Sequence, residues 1–242
     1  MTDAARPGGP PAAAATSPLP GLLLVLSMVT GIVDAISVLG LGNVFVANMT
    51  GNVVFLGFAV AGSGRFVPSS LIVALVGFLL GAVVAGRTAN AHQHRPTRHW
   101  LLRACVVEGG LVLLAAVVAL GVGVATLSEG GRLGMIAMLA AAMGFRNATV
   151  RQLGVPDLTT TVLTLTLTGI AADSPLAGGR NPNLWRRFGA VGALFLGALI
   201  GAWLLLRFGL VPPLLLAAAL TVAATLVVYR HPALAEPIAK KP

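Results

Sequence analysis

A polar stretch interrupts the apolar sequence between residues 43 and 55, which are NVFVANMTGNVVF. Asn48, Thr50, Gly51 and Asn52 stand there in place of aliphatic side chains. Amide and hydroxyl groups can contact a polar solute, or they can hydrogen-bond backbone groups that a break in a helix leaves unpaired. Glycine permits such a break or turn. We therefore predict a broken backbone segment that faces the protein interior, with these four residues as candidate substrate contacts.

The same side chains also have a purely structural interpretation. Asn and Thr commonly hydrogen-bond between helices inside membranes, where they only hold the helices together. A third interpretation is a gate or hinge at the break. The sequence leaves all three open.

Acidic residues in apolar runs form the second candidate group. A lone carboxylate at the centre of a spanning helix costs at least ~2.5–3.5 kcal/mol, so Asp34 should face the interior and be paired or protonated. We predict Arg146 as its counter-ion, with the neighbouring Asn147 as a further site residue. Glu108 is the other intramembrane acid, and Arg103 could reach it at short helical spacing.

Other kinds of site are not indicated by the sequence. It has no dinucleotide glycine fingerprint, phosphate loop, Ser/His/Asp arrangement or zinc-ligand spacing. HQHRPTRH, residues 92–99, is broken by proline and surrounded by arginines, which is typical of a solvated loop. The single cysteine, Cys105, cannot form an internal disulfide. We predict no enzyme activity, no metal and no cofactor.

The composition predicts what positions these residues. Of 242 residues, 57% are hydrophobic and 10% charged, with a mean hydropathy of +0.92, whereas soluble domains carry about 25% charged residues. We therefore predict an all-α polytopic membrane protein whose main partner is the lipid bilayer. A net charge of +9 would suggest nucleic acid in a soluble protein. Here the arginines lie between apolar runs and indicate topology instead, so no nucleic-acid partner is expected.

Six apolar runs are long enough to cross a bilayer, which takes roughly 20 residues. Two further stretches, Val44–Gly62 and Leu158–Asp173, are polar or short and leave a choice between six and eight crossings. The six clear candidates are Leu19–Leu41, Val67–Arg87, Trp100–Leu127, Leu133–Leu153, Trp185–Phe208 and Val211–Tyr229.

The distribution of Lys and Arg favours six crossings. If both doubtful stretches enter and leave the membrane on the same side, only Arg65, Arg132 and Arg207 lie outside, and every other Lys and Arg faces the cytoplasm. We therefore expect both termini in the cytoplasm. Residues 1–18, rich in Pro, Ala and Gly, should be a disordered tail, and residues 231–242 a cytoplasmic one.

A degenerate repeat divides the membrane region into residues 19–127 and 128–230. GIVDAISVLG from Gly31 aligns with GFRNATVRQLG from Gly144. NMTGNVV from Asn48 aligns with VLTLTLT, which makes Thr164 and Thr166 candidate site residues as well. Three crossings per half is an odd number, so the second copy would be inverted, as in many secondary transporters.

The stretches Val33–Gly57 and Ala141–Pro175 resemble the bacterial DUF1275 (YoaK-like) membrane protein family, with NMTGN as the most specific element. The resemblance covers nearly all of the chain after the tail. It implies six crossings and no assigned activity, and it supplies no site residues. Leu165 stands where family members often have a glycine, which predicts a less sharp second break.

The function favoured by these patterns is a transporter or channel for an unidentified small solute, with its polar site where the two repeats meet. The alternative is a structural or accessory membrane protein in which the polar residues only pack helices. We expect a multi-pass protein of the bacterial plasma (inner) membrane. The sequence leaves a homo-oligomer open as a further partner.

Overall fold

The computed structural model of the chain describes residues 17–92, 96–121, 126–153, 163–180 and 184–235. Within these ranges all regular structure is helical, which confirms the all-α prediction. Six helices are long and apolar enough to cross a membrane. They are α1 (Leu19–Gly40), α3 (Pro68–His92), α4 (Thr97–Val118), α5 (Glu129–Leu153), α7 (Leu184–Phe208) and α8 (Val211–Tyr229).

Two short helices correspond to the two doubtful stretches. α2 (Met49–Val60) has 12 residues and α6 (Leu163–Ala172) has 10. At 1.5 Å per residue these helices are about 15–18 Å long, whereas the hydrocarbon core is about 30 Å thick. Neither can cross a bilayer alone, so the six-crossing prediction is confirmed and the chain is a multi-pass membrane protein.

Tryptophans near the two ends of α7 fit this placement. Trp185 and Trp203 are 87% and 55% exposed, and their separation of 18 residues corresponds to about 27 Å along a helix. Tryptophan concentrates at the two interfaces of a membrane. The two side chains therefore lie about one hydrocarbon thickness apart on the outer surface of the protein.

The C-terminal ends of two helices differ from the prediction by more than one residue. α3 continues to His92, five residues beyond the predicted end at Arg87, because no helix-breaking residue occurs before Pro96. α4 ends at Val118, although the apolar run continues to Leu127. Gly121 beyond it has a φ of +74°, a left-handed conformation that ends helices. Hydropathy therefore predicted the position of the apolar run correctly, but it did not predict the residue at which the helix ends.

The long helices pack in two tight pairs, α1 against α7 and α3 against α5. Glycines make both approaches possible. A Cβ atom built on Gly197 would lie 1.9 Å from the carbonyl oxygen of Met28, and one built on Gly81 would lie 2.0 Å from that of Ala141. Small residues let helix backbones come close where no hydrophobic driving force acts between helices.

Several predicted regions lie wholly or partly outside the described residues. They include the tails at residues 1–16 and 236–242, and the start of the second polar stretch at residues 158–162. The sharpness of a second break therefore stays a prediction. Near the C-terminus, Pro232–Leu234 forms one short 3-10 turn.

Candidate functional site

The chain turns back on itself after α1 and returns to the level of Asp34. Gly42 (φ +100°) and Asn43 (φ +56°) have left-handed conformations immediately after the helix. Residues 44–48 then run without helical structure, and the Ala47 N–H donates a hydrogen bond to Asp34 Oδ1 at 3.1 Å. Asp34 therefore accepts from a backbone donor that the broken segment would otherwise leave unpaired. The predicted break is present, and we call residues 44–48 the broken segment.

Asn52 fixes the other side of the broken segment. Its Oδ1 accepts the Phe45 N–H at 2.9 Å, and its Nδ2 donates to the Phe45 carbonyl oxygen at 2.6 Å. Nδ2 also lies 3.7 Å from Met49 Sδ, and the residue is fully buried. One side-chain amide thus pairs with both polar groups of a backbone residue. Asn52 supports the site and is not placed to contact a solute.

Gly51 has a different role from the one predicted. It lies inside α2, so it does not break the chain; Gly42 and Asn43 provide the turn instead. The Phe45 ring covers it so closely that a Cβ atom on Gly51 would be 2.8 Å from Phe45 Cδ2. The same ring stacks on Phe55, with centroids 5.9 Å apart. A glycine is needed at position 51 because a side chain there would collide with the Phe45 ring.

A cavity of about 360 Å³ adjoins the broken segment. It is bounded by the second half of α1, residues of the broken segment, the first residue of α6 and one face of α7. Its polar lining includes Asp34, Asn48 and Thr30, and Phe45 contributes an aromatic ring. The remaining lining is aliphatic side chains and one glycine. We call this space the Asp34 cavity.

Arg146 does not pair with Asp34, so that prediction is wrong. Its Nε donates to Glu108 Oε2 at 2.9 Å, and Nη2 contacts Glu108 Oε1. Thr221 Oγ1 donates to Glu108 Oε1 at 2.9 Å. Arg146 Nη1 donates to the Leu26 carbonyl oxygen and to Thr30 Oγ1, at 3.0 and 3.1 Å. The pairing follows from the helix neighbours, because α4 packs against both α5 and α8.

The Glu108–Arg146 pair is sealed inside the protein. The two side chains are 4% and 1% exposed, and the space beside them is only about 20 Å³. Removing two charges from water is costly, and further hydrogen bonds offset part of that cost. The Thr30 and Thr221 hydroxyls supply such bonds. Arg103, predicted as the partner of Glu108, is an exposed residue.

The other predicted site residues do not line the Asp34 cavity. Thr50 and Thr164 are exposed on the short helices, and Thr166 is buried in α6. Asn147 is half-buried on α5, beside Arg146. Of the predicted set, the structure brings Asp34 and Asn48 together at one cavity and places Gly51 and Asn52 behind them as support.

Sequence reasoning missed three residues that shape the site. Thr30 precedes Asp34 by four residues, a spacing that puts both on one face of a helix, so it could have been found from α1 alone. Phe45 lies inside the polar motif, where its ring was overlooked. Thr221 carries no local signal, because its role depends on α8 packing against α4.

Comparisons with known proteins identify a family and a relative of this chain. The family model described as "Protein of unknown function (DUF1275)" matches residues 22–227. The chain is 30% identical over 152 residues to the UPF0700 transmembrane protein YoaK of Bacillus subtilis (strain 168). The match covers 63% of this chain and 65% of that protein, so it spans slightly less than two thirds of the relative's length. No solved structure matches the chain significantly.

Proposed function

The chain belongs to the DUF1275 family, and from this premise we propose that it is a transporter or channel for a small solute that binds in the Asp34 cavity. The family is described as having unknown function, so one observation on the chain itself carries the proposal. A cavity of about 360 Å³ brings a carboxylate and an amide together beside non-helical backbone in a six-helix membrane protein. Broken backbone around a polar cavity at membrane depth is how many transporters bind their solutes.

The proposal includes two inverted repeats, residues 19–127 and 128–230. Support comes from helix contacts that occur in matched sets. If α1 to α4 are exchanged with α5 to α8, the α1–α7 contact becomes α5–α3, the α4–α5 contact becomes α8–α1, and the α2–α3 contact becomes α6–α7. All of these contacts are present.

The close helix contacts at two glycines are related by the same exchange of the two halves. A Cβ atom on Gly31 would lie 2.2 Å from the Leu194 carbonyl oxygen, and one on the aligned Gly144 would lie 2.0 Å from that of Phe78. Aligning LLGAVVAG from Leu79 with FLGALIGA from Phe195 pairs the preceding residues, Phe78 and Leu194, as well. The same packing joint is therefore used twice.

Access to the Asp34 cavity differs between its two ends. Along α1 the cavity extends from Thr30 towards Leu39, near the C-terminal end of the helix. On the other side of Thr30, Arg146 bridges to Leu26 and Thr30, and little free space remains. In the proposed mechanism the Glu108–Arg146 pair closes one end, and the solute enters from the other.

We place the protein in the bacterial inner membrane with both termini in the cytoplasm. The charge distribution supports this orientation, since it leaves few basic residues outside. The open end of the Asp34 cavity then lies in the outer half of the bilayer, because α1 begins at the cytoplasmic side.

A structural or accessory role is the second candidate, and Asn52 is the observation that favours it. Both ends of its side-chain amide are used to hold Phe45, so one of the most distinctive motif residues serves packing. Under this alternative the Asp34 cavity would bind nothing, and its polar lining would only complete the fold.

Reconstitution into proteoliposomes separates the two candidates. Flux of a panel of small anions, cations and amino acids is compared between the intact protein, Asp34→Asn and Asn48→Leu. Glu129→Gln is the matched control, since Glu129 is an exposed carboxylate outside the cavity. Transport predicts flux that falls with both cavity variants and persists in the control. A protein that carries no solute above empty vesicles, or equal flux in all four forms, would contradict the proposed site.

A further inference from the structure

We infer that the Asp34 cavity binds a compact organic cation, an amine or quaternary ammonium whose nitrogen lies against the Asp34 carboxylate and the Phe45 ring. The inference rests on the proposed function and names its substrate class. Three properties of the cavity carry it: the acid in its lining, its aromatic residue, and its size combined with its mostly apolar wall.

The ionisable side chain in the described lining is an acid. Asp34 is the ionisable residue of the described lining, and no Lys, Arg or His is among those residues. The nearby Arg146 is engaged by Glu108, Thr30 and the Leu26 carbonyl. Within the described part of the chain Asp34 forms no ion pair, and its partners are backbone groups of the broken segment, at Ala47 and Val46. A cation in the cavity would pair with the ionised form of the Asp34 carboxylate, whereas an anion would be repelled by it.

An aromatic ring lies in the same wall. Phe45 is held there by its backbone hydrogen bonds to Asn52, by the contact of its ring with Gly51 and by stacking on Phe55. A positive charge over an aromatic face gains about 0.5–2 kcal/mol or more, and the gain is largest where water is excluded. A carboxylate together with a fixed aromatic ring is the combination that recognises ammonium groups.

Size and polarity argue against a bare metal ion. Ca²⁺ requires about six to eight oxygen ligands, and the described lining offers few polar side chains among many aliphatic ones. A volume of about 360 Å³ falls within the range of about 300–1,000 Å³ typical of small-molecule pockets. The wall therefore fits the alkyl groups of an organic cation, and Asn48 can hydrogen-bond a polar substituent.

Choline and its uncharged isostere 3,3-dimethylbutan-1-ol provide the test, since they differ in charge and hardly in shape. Binding of each is measured on the purified full-length protein by calorimetry. Choline should bind at least about tenfold more tightly than the alcohol. Equal binding of the two compounds, or binding of neither, would overturn the inference.

Variants locate the site. Asp34→Asn keeps an oxygen for the Ala47 N–H and should abolish the preference for choline. Phe45→Leu keeps the backbone bonds to Asn52 and should weaken choline binding about three- to tenfold. Phe58→Leu is the control, because Phe58 is an exposed ring outside the cavity. A choline preference that survives Asp34→Asn would place the cation elsewhere and refute the assignment.

The flux panel separates this inference from the proposed function. Choline binding that depends on Asp34 without transport of any solute would support the cation site and refute the transporter. Transport of an anion or a neutral solute that depends on Asp34, without choline binding, would support the transporter and refute the cation site.

Discussion

Asn52 holds the backbone of Phe45 at both of its polar groups, with hydrogen bonds of 2.9 and 2.6 Å. The two residues are seven positions apart, one in α2 and the other in the broken segment. The amide makes the hydrogen bonds that a neighbouring strand would otherwise make. Non-helical backbone can therefore persist in an apolar interior. The same bonds hold the backbone of Phe45, whose ring covers Gly51 and which is one of the residues lining the Asp34 cavity.

Asn52→Leu should therefore destabilise the protein. The substitution leaves the Phe45 N–H and carbonyl oxygen without their partner, at about 1–3 kcal/mol for each buried group. We expect a clearly lower thermal unfolding temperature in detergent. Thr50→Ala, on the exposed side of the same helix, is the control and should change little. Equal unfolding temperatures for the intact protein and Asn52→Leu would show that the two hydrogen bonds between Asn52 and the Phe45 backbone contribute nothing to stability.

The glycine crossings give a second prediction. Gly197→Ala places a methyl group 1.9 Å from the Met28 carbonyl oxygen, so α1 and α7 must separate. Overpacking of this kind costs about 1–3 kcal/mol. Gly192→Ala in the same helix meets no atom within 4 Å, and it should be neutral or stabilising because alanine favours helix. Thermal unfolding of the two variants measures the difference, and equal stability would contradict the crossing.

The Glu108–Arg146 pair predicts non-additive stability. Glu108→Leu alone leaves a buried guanidinium without its carboxylate and should cost about 3–5 kcal/mol. Combining it with Arg146→Met removes both charges and should restore much of that loss. Asp34→Asn combined with Arg146→Met should show no such recovery, because these two residues are not paired. Unfolding measurements on the single and double variants test this. A Glu108–Arg146 double variant as unstable as the two losses added would refute the pair.

Cysteine labelling tests the topology. Cys105 is buried, so the intact protein should react little with a membrane-impermeant maleimide. Ser63→Cys and Ser128→Cys should label from outside intact cells. Ala177→Cys and Ala235→Cys should label only after the cells are opened. Eight crossings would put all four positions on one side, so labelling of that kind would contradict the six-crossing arrangement.

Much of the fold was predictable because hydropathy acts locally. Each spanning helix corresponds to one apolar run. Hydropathy alone leaves the stretches of α2 and α6 doubtful, and the distribution of Lys and Arg favours six crossings over eight. The break after α1 was predictable from the polar motif. Its location at Gly42 and Asn43, and not at Gly51, was not, because several residues of the stretch can support a turn.

The pairing of charged residues could not be predicted in the same way. Asp34, Glu108 and Arg146 were each identified as buried groups, yet the partner of Arg146 depends on which helices are neighbours. Glu108 and Arg146 are 38 positions apart in the sequence, and they pair because α5 packs on α4. Likewise, Thr164 and Thr166 were chosen from the repeat, and neither lines the Asp34 cavity.

The central claim is that the Asp34 cavity is open to water and to a solute. Its most direct test is the reaction of Asn48→Cys with a cationic, membrane-impermeant thiosulfonate in proteoliposomes, with reagent on both sides of the bilayer. Val53→Cys, an exposed apolar position on α2 outside the cavity, is the control, because we expect it to face lipid. We predict that the Asn48 variant is modified rapidly, that the Val53 variant is not, and that choline slows the modification. An Asn48 variant as unreactive as the buried Cys105 would mean a dry, sealed interior and would contradict the account.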